Sequence, residues 1–111
     1  MSIPDLKGLL ETAQRIQSEV ARVREELARK TVEGETGGGL CRCVANGKGD
    51  IVSISIDPTV ASGSEPVNLK MIEDLVVGAV NLALERARET AEAEMSRVTA
   101  GLPLPPGTFG T

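Results

Sequence analysis

An α+β fold is predicted: a long helix, a three-stranded antiparallel β-meander and a second long helix, in the order α-β-β-β-α. Three features predict it. Apolar residues in the first thirty positions recur with alternating three- and four-residue spacing. The next stretch alternates apolar and polar residues and is punctuated by two glycine-bearing turns. From Asn68 to Ala100 a second helical pattern runs, dense in apolar residues at first and charged later. Aromatic residues make up 1% of the chain, a single Phe, against 41% apolar residues. The core must therefore be built from Leu, Val, Ile and Ala, which suits helix packing.

The first helix is expected over about residues 5–30. Pro4-Asp5 can begin it, since proline is tolerated in a first turn. Leu6, Leu9, Ala13, Ile16, Val20, Val23 and Leu27 then mark a coiled-coil-like seam. Glu11–Arg15, Glu25–Arg29 and Glu26–Lys30 are acid-before-base pairs four apart, which support a helix. Such a helix is about 39 Å long at 1.5 Å per residue.

The sheet is expected over about residues 31–57. Thr31 to Glu35 reads as a strand entering the glycine turn. Leu40 to Ala45 alternates, with Cys41, Cys43 and Ala45 on one face and Arg42 and Val44 on the other. Asn46-Gly47 suits a turn with positive φ. Val52, Ile54 and Ile56 are expected to face one way and Ser53 and Ser55 the other, before Asp57-Pro58 ends the strand. Ala61 to Pro66 is a loop.

The second helix is expected over about residues 68–100. Eleven of the sixteen residues from Leu69 to Leu84 are apolar. On a helical wheel they cover about 240°, far wider than the stripe of a surface helix. A three-stranded sheet covers only one side, so the first helix or a second copy of the chain must cover the other. A homodimer is the expectation, with Leu75, Val76, Ala79, Val80 and Ala83 as its interface. From Glu85 to Val98, seven of fourteen residues are charged, and Glu94 falls in the middle of the thin remaining seam. This half is expected to project beyond the core. A Pro-rich tail over 102–111 follows.

At 111 residues the chain is expected to form one domain. No run approaches the ~20 apolar residues of a membrane span, and the N-terminus has neither a basic start nor an apolar signal core. A cytoplasmic bacterial protein without a membrane partner is the expectation. The formal net charge of −4 opposes whole-molecule attraction to a polyanion. Any nucleic-acid surface must come from local clustering of the twelve Lys and Arg residues.

The stretch Gly34-Glu35-Thr36-Gly37-Gly38-Gly39-Leu40-Cys41-Arg42-Cys43 is the one candidate for chemistry. A phosphate loop places its glycines between a strand and a helix N-terminus and follows them with Lys-Ser/Thr. These glycines lie between two strands, with no such pair. Cys-x-Cys offers two thiolates where zinc takes four ligands, and the chain has no His and no further Cys. A disulfide is poorly placed, because residues two apart on a strand have Cα atoms about 6.6 to 7 Å apart. A reactive thiol would want a nearby cation, and Arg42 points to the other face. Cys41 and Cys43 read as small core residues beside Ile54 and Ile56. Without a His to serve as base and with no singled-out carboxylate pair, no enzyme, cofactor or small-molecule substrate is expected.

Taken in order, Gly34-Glu35-Thr36-Gly37-Gly38-Gly39-Leu40, Asn46-Gly47, Ile56-Asp57-Pro58, Ile72-Glu73-Asp74-Leu75, Ala79-Val80-Asn81 and Leu104-Pro105-Pro106-Gly107 resemble the YbaB/EbfC family of nucleoid-associated proteins. No single motif is specific, but their order and spacing are, and they span nearly the whole chain. The resemblance implies a tweezer-shaped homodimer that binds double-stranded DNA, organises the nucleoid and influences transcription, without catalysis or cofactor. The chain departs from many members in its Ser62 to Pro66 loop and in lacking any basic residue between Asp50 and Asp57. Neither departure alters the expected fold, and both move any DNA surface from the sheet to the helices.

Arg15, Arg22 and Arg29 stand seven apart and line one flank of the first helix. Lys7 lies near its free end, and Arg88 and Arg97 lie in the charged half of the second helix. If the helices run antiparallel, Lys7, Arg15, Arg88 and Arg97 are expected to cluster near one tip. These six cations are the candidate DNA-binding residues, as phosphate contacts that position without reading bases. The competing expectation is a dimeric protein–protein adaptor, with an acidic surface that repels DNA and a Leu102 to Pro106 segment suited to docking in a groove or on its own dimer.

Overall fold

The computed structural model describes residues 4–62 and 66–100. The chain forms helix α1 (Pro4–Arg29), strands β1 (Thr31–Thr36), β2 (Cys41–Asn46) and β3 (Ile51–Ile56), a 3-10 turn (Pro58–Ala61) and helix α2 (Leu69–Ala100). The strands form one antiparallel sheet in the order β1-β2-β3. The α-β-β-β-α order matches the sequence expectation. The Pro-rich tail and the centre of the Ser62 to Pro66 loop lie outside the described residues.

Each helix end has a physical cause. Asp5 in the first turn and Arg29 in the last complement the dipole of α1. The β2–β3 turn then caps that helix: the Gly47 amide donates to the carbonyls of Leu27 at 2.8 Å and Lys30 at 3.0 Å. Gly47 does not supply the positive φ expected of Asn46-Gly47; Gly49 does, at 90°. Position 47 requires glycine for space instead, because a Cβ there would lie 2.9 Å from the Leu27 carbonyl oxygen. Asn46 shapes the turn through its side chain, which accepts from the amides of Lys48 and Asp50. At α2, the Asn68 side chain accepts from the Met71 amide at 3.1 Å, an N-cap.

The glycine-rich stretch turns a corner. Gly37, Gly38 and Gly39 all take positive φ between β1 and β2. Gly34, in β1, serves a different end, since a Cβ there would lie 2.5 Å from the Ala79 oxygen and 2.6 Å from the Ala83 nitrogen. Helix α2 therefore lies with its backbone almost on β1. Cys41, Cys43, Ala45, Ala79 and Ala83 are wholly buried between helix and sheet. Small side chains are what permit so close an approach. Thr36 donates its hydroxyl to the Leu75 carbonyl at 2.6 Å, and Arg86 donates to the Glu33 carbonyl at 2.5 Å. These bonds fasten α2 along the outer edge of β1, where backbone groups lack a strand partner.

Helix α2 covers β1 and β2 and barely touches β3. Cys41 pairs with Ile56 and Cys43 with Ile54, so the isoleucines share the helix-side face. A register shift at Val44/Ala45 makes Val52 an extra residue and pairs Ile51 with Ala45. Ile51, rather than the expected Val52, therefore joins Ile54 and Ile56 on that face. All three remain more than 40% exposed.

Helix α1 is buried only near its C-terminus, at Val23 and Leu27; Leu6, Leu9 and Leu10 are more than half exposed. Of the expected intrahelical pairs, Glu26–Lys30 is replaced. Glu26 accepts from Arg22, while Lys30 crosses to Glu94 of α2. Among the described residues no ion pair joins Glu11 to Arg15 or Glu25 to Arg29. The molecule measures 80 × 25 × 16 Å, with a radius of gyration of 21.2 Å. A compact chain of this length would give about 13 Å. No described helix is long and apolar enough to cross a membrane.

Candidate nucleic-acid interface

The helices run antiparallel past the end of the sheet: Lys30 meets Glu94, and Arg15 lies across from Arg97 and Val98. Between them lies a groove of about 520 Å³, lined by Arg15, Glu19, Arg22, Val23, Glu26, Lys30, Glu94, Arg97 and Val98. Helical periodicity produces this lining. Arg15, Glu19, Arg22 and Glu26 follow one another at intervals of four, three and four along α1, and so share a face. Val23 forms part of the floor.

The charges divide into two clusters. Arg22 is held by Glu19 and Glu26, both at 2.6 Å, yet keeps about half of its side chain exposed. Its hydrogen bond and charge lower the Glu19 pKa, and Glu19 in turn raises that of Arg22. Further along, Glu94 has only 12% of its side chain exposed and is paired with Lys30 and, at 3.2 Å, with Arg97. The Lys30 hydrogen bond leads in lowering the Glu94 pKa, against the opposing effect of burial. Arg15 enters no ion pair among the described residues. Four cations face three carboxylates in this groove, which leaves a local positive excess on an acidic chain.

Of the six predicted cations, the groove unites Arg15, Arg22 and Arg97; Lys7, Arg29 and Arg88 are exposed but outside its lining. The expected four-residue tip cluster is thus reduced to Arg15 and Arg97. Lys30 was missed as a groove cation. Its signal was Glu94, a carboxylate set in an apolar seam, which needs a cation from the facing helix. Of the expected interface residues, Ala79 and Ala83 are wholly buried against the chain's own sheet, because Gly34 lets the helix backbone close on them. Leu75, Val76 and Val80 are half-buried at the edge of the same core.

Elsewhere the surface offers less to an anion. On the open sheet face, Arg42 lies between Glu35 at 2.8 Å and Glu33 at 3.9 Å, and β3 contributes Ser53 and Ser55. The cysteines are buried and unbridged. Burial, and then the neighbouring Cys41, raise the Cys43 pKa, which keeps it a neutral and weakly nucleophilic thiol. No group of three potential metal ligands occurs among the described residues.

The family model described as "YbaB/EbfC DNA-binding family" matches residues 1–102. A nucleoid-associated protein of Caldanaerobacter subterraneus subsp. tengcongensis is 41% identical over 101 residues, covering 91% of this chain and 88% of that one. A nucleoid-associated protein of Acetivibrio thermocellus is 43% identical over 105 residues, covering 95% and 90%. The crystal structure of an uncharacterized Helicobacter pylori protein, HP0035, superposes with a TM-score of 0.70 over 89% of this chain and 98% of that one. At 19% identity, that likeness concerns the fold alone.

Proposed function

Because the chain belongs to the YbaB/EbfC DNA-binding family, we propose that it binds duplex DNA as a homodimer, through phosphate contacts made by its helical arms. The observation that carries this reading is the positive groove between α1 and α2, with Arg15 unpaired among the described residues and Arg97 largely exposed at its rim. Contacts of this kind hold a duplex without reading its bases. The helices carry no aromatic residue among their described positions, so base stacking is not part of the mechanism. The chain acts in the nucleoid, where it organises DNA and affects transcription by occupancy rather than by catalysis.

Dimerisation is supported by the bare helix-side face of β3. Ile51, Ile54 and Ile56 lie uncovered beside α2, whose Leu69, Met71 and Val77 are also exposed. Val76 and Val80 lie on the opposite flank of α2 from Leu75 and Gly78, which meet β1 at Gly37 and Thr36. They form the rim of the same bare strip. A second copy covering this strip removes it from water, and symmetry doubles every phosphate contact.

A mobility-shift titration across salt tests the DNA reading. With about six phosphates neutralised per dimer, log K falls against log salt with a slope near −5, roughly a thousandfold between 50 and 200 mM. Arg15→Ala with Arg22→Ala weakens binding about equally for all sequences and flattens that slope. Undiminished affinity in this double variant, with the dimer intact, would place the DNA surface elsewhere. No binding by the parent at low salt would favour the protein–protein adaptor, which the acidic net charge supports.

A further inference from the structure

The two helices leave a groove on each side of the layer they form. Arg22 and Arg24 are two residues apart, about 200° round α1, so they fall on opposite flanks of its buried seam. Arg97 and Met95 divide in the same way on α2. Arg22 and Arg97 line the groove already described. Arg24 and Met95 line a second groove, of about 510 Å³, between α1, α2 and the β2–β3 turn. Leu27, Ala91 and Met95 form its apolar floor, and Arg24 and Lys48 stand exposed at its rim. Arg88 extends that rim: it precedes Ala91 by three residues and Met95 by seven, the spacing of one helix face, and is also exposed.

The charges here differ from those of the first groove. There Arg22, Lys30 and Arg97 are each held by a carboxylate. In the second groove the floor is apolar, and Glu25 is the one carboxylate among the described lining residues. Arg24, Lys48 and Arg88 enter no ion pair among the described residues. They can meet a phosphate without first giving up an acid. The layer between the grooves is one helix thick, about 10 to 12 Å with its side chains. A duplex lying against one face therefore cannot reach the cations of the other. We propose that this second face binds the phosphates of a second duplex, so that the protein bridges two DNA segments across its helical arms. The proposal rests on the DNA-binding reading above and adds a site to it. Charge complementarity selects the occupant, three unpaired cations against a row of phosphates. Three contacts per protomer, six per dimer, give capture of the second duplex a log–log salt slope near −5 of its own, by the estimate of about 0.9 per phosphate.

The test separates one duplex from two. Fluorescence anisotropy with a trace of labelled duplex reads binding to a single segment. Recovery of labelled duplex on beads that carry an unlabelled one reads bridging. Arg24→Gln with Lys48→Gln changes two exposed positions and is expected to keep the helical dichroism of the parent. Its anisotropy midpoint is expected to rise no more than about twofold, because the first groove is left intact. Its recovery of the second duplex at low salt is expected to fall at least about tenfold. Arg15→Ala with Arg22→Ala lowers both readings. A parent that binds one duplex and recovers no second overturns this proposal alone. So does recovery that survives in Arg24→Gln with Lys48→Gln, which would assign bridging to the two first grooves of a dimer and leave the apolar floor to a protein partner. A parent that binds no duplex at all fails the DNA-binding reading itself, and this proposal with it.

Discussion

Arg22 presents a guanidinium to solvent while two carboxylates compete for it. Binding a phosphate there requires Glu19 and Glu26 to yield, or to share the donor fork, so the acids act as a brake on the proposed DNA contact. Replacing both with Gln removes two negative charges from the groove and frees the arginine without altering side-chain volume. Affinity for duplex DNA is expected to rise about three- to tenfold at 50 mM salt and to converge with the parent at high salt, because the effect is screened. Unchanged affinity in a mobility-shift titration would show that Arg22 makes no phosphate contact. The arginine spacing and the carboxylates beside it are both legible in the sequence. Which of several acids each arginine selects is not. Glu26 can reach Arg22 or Lys30, and the choice is made by Glu94, sixty-four residues away from Lys30. Only the packing of the two helices brings that competitor near.

The helices and strands themselves were written plainly, because periodicity is local. Helix α2 is expected from about residue 68 and begins at Leu69, and α1 ends at Arg29 where Lys30 was expected. What periodicity could not give was the closeness of α2 to β1. Gly34 reads as one glycine among several, yet it is the site where two backbones nearly touch. Gly34→Ala is expected to destabilise the fold by about 1 to 3 kcal/mol through overpacking, visible as a lowered denaturant midpoint. A midpoint equal to the parent's would mean that α2 can lift from the sheet at little cost. The bulge at Val52 was equally hidden, since alternation predicts an unbroken strand. A second test concerns the clasp between the helices. The Glu94 pKa is lowered in the folded chain, chiefly by Lys30. Its contribution is therefore present above the ordinary glutamate value of about 4.5 and is lost as the pH falls through the lower folded value. Glu94→Gln should lower the melting temperature at pH 7 and reduce its fall on acidification. Melting curves from pH 3 to 7 that match the parent would remove the clasp from the stability of the arms.

At the scale of the molecule, the breadth of the apolar arc on α2 already called for more covering than one sheet can give. The structure locates the shortfall on β3 and the adjoining flank of α2, and the sequence could not do so because strand order and helix placement are long-range choices. Ile54→Asp sets a charge in the middle of the proposed dimer seam, at a position the isolated chain leaves 44% exposed. The expected outcome is a folded monomer by light scattering, with retained helical dichroism and a large loss of DNA affinity as half the phosphate contacts go. A dimer that survives this change would place the seam elsewhere. Diffusion, however, senses outline rather than mass. A compact protein would need about 390 residues to reach a radius of gyration of 21.2 Å; friction rises less steeply with elongation than that radius does, yet one 11.6 kDa chain still drags through solvent like a heavier compact body. On a sizing column a lone protomer of this shape emerges ahead of a globular protein of the same mass, and tumbling about its 80 Å axis differs from tumbling across it. Elution volume alone would therefore count too many copies, whereas scattered intensity or sedimentation equilibrium, which weigh the particle, would not.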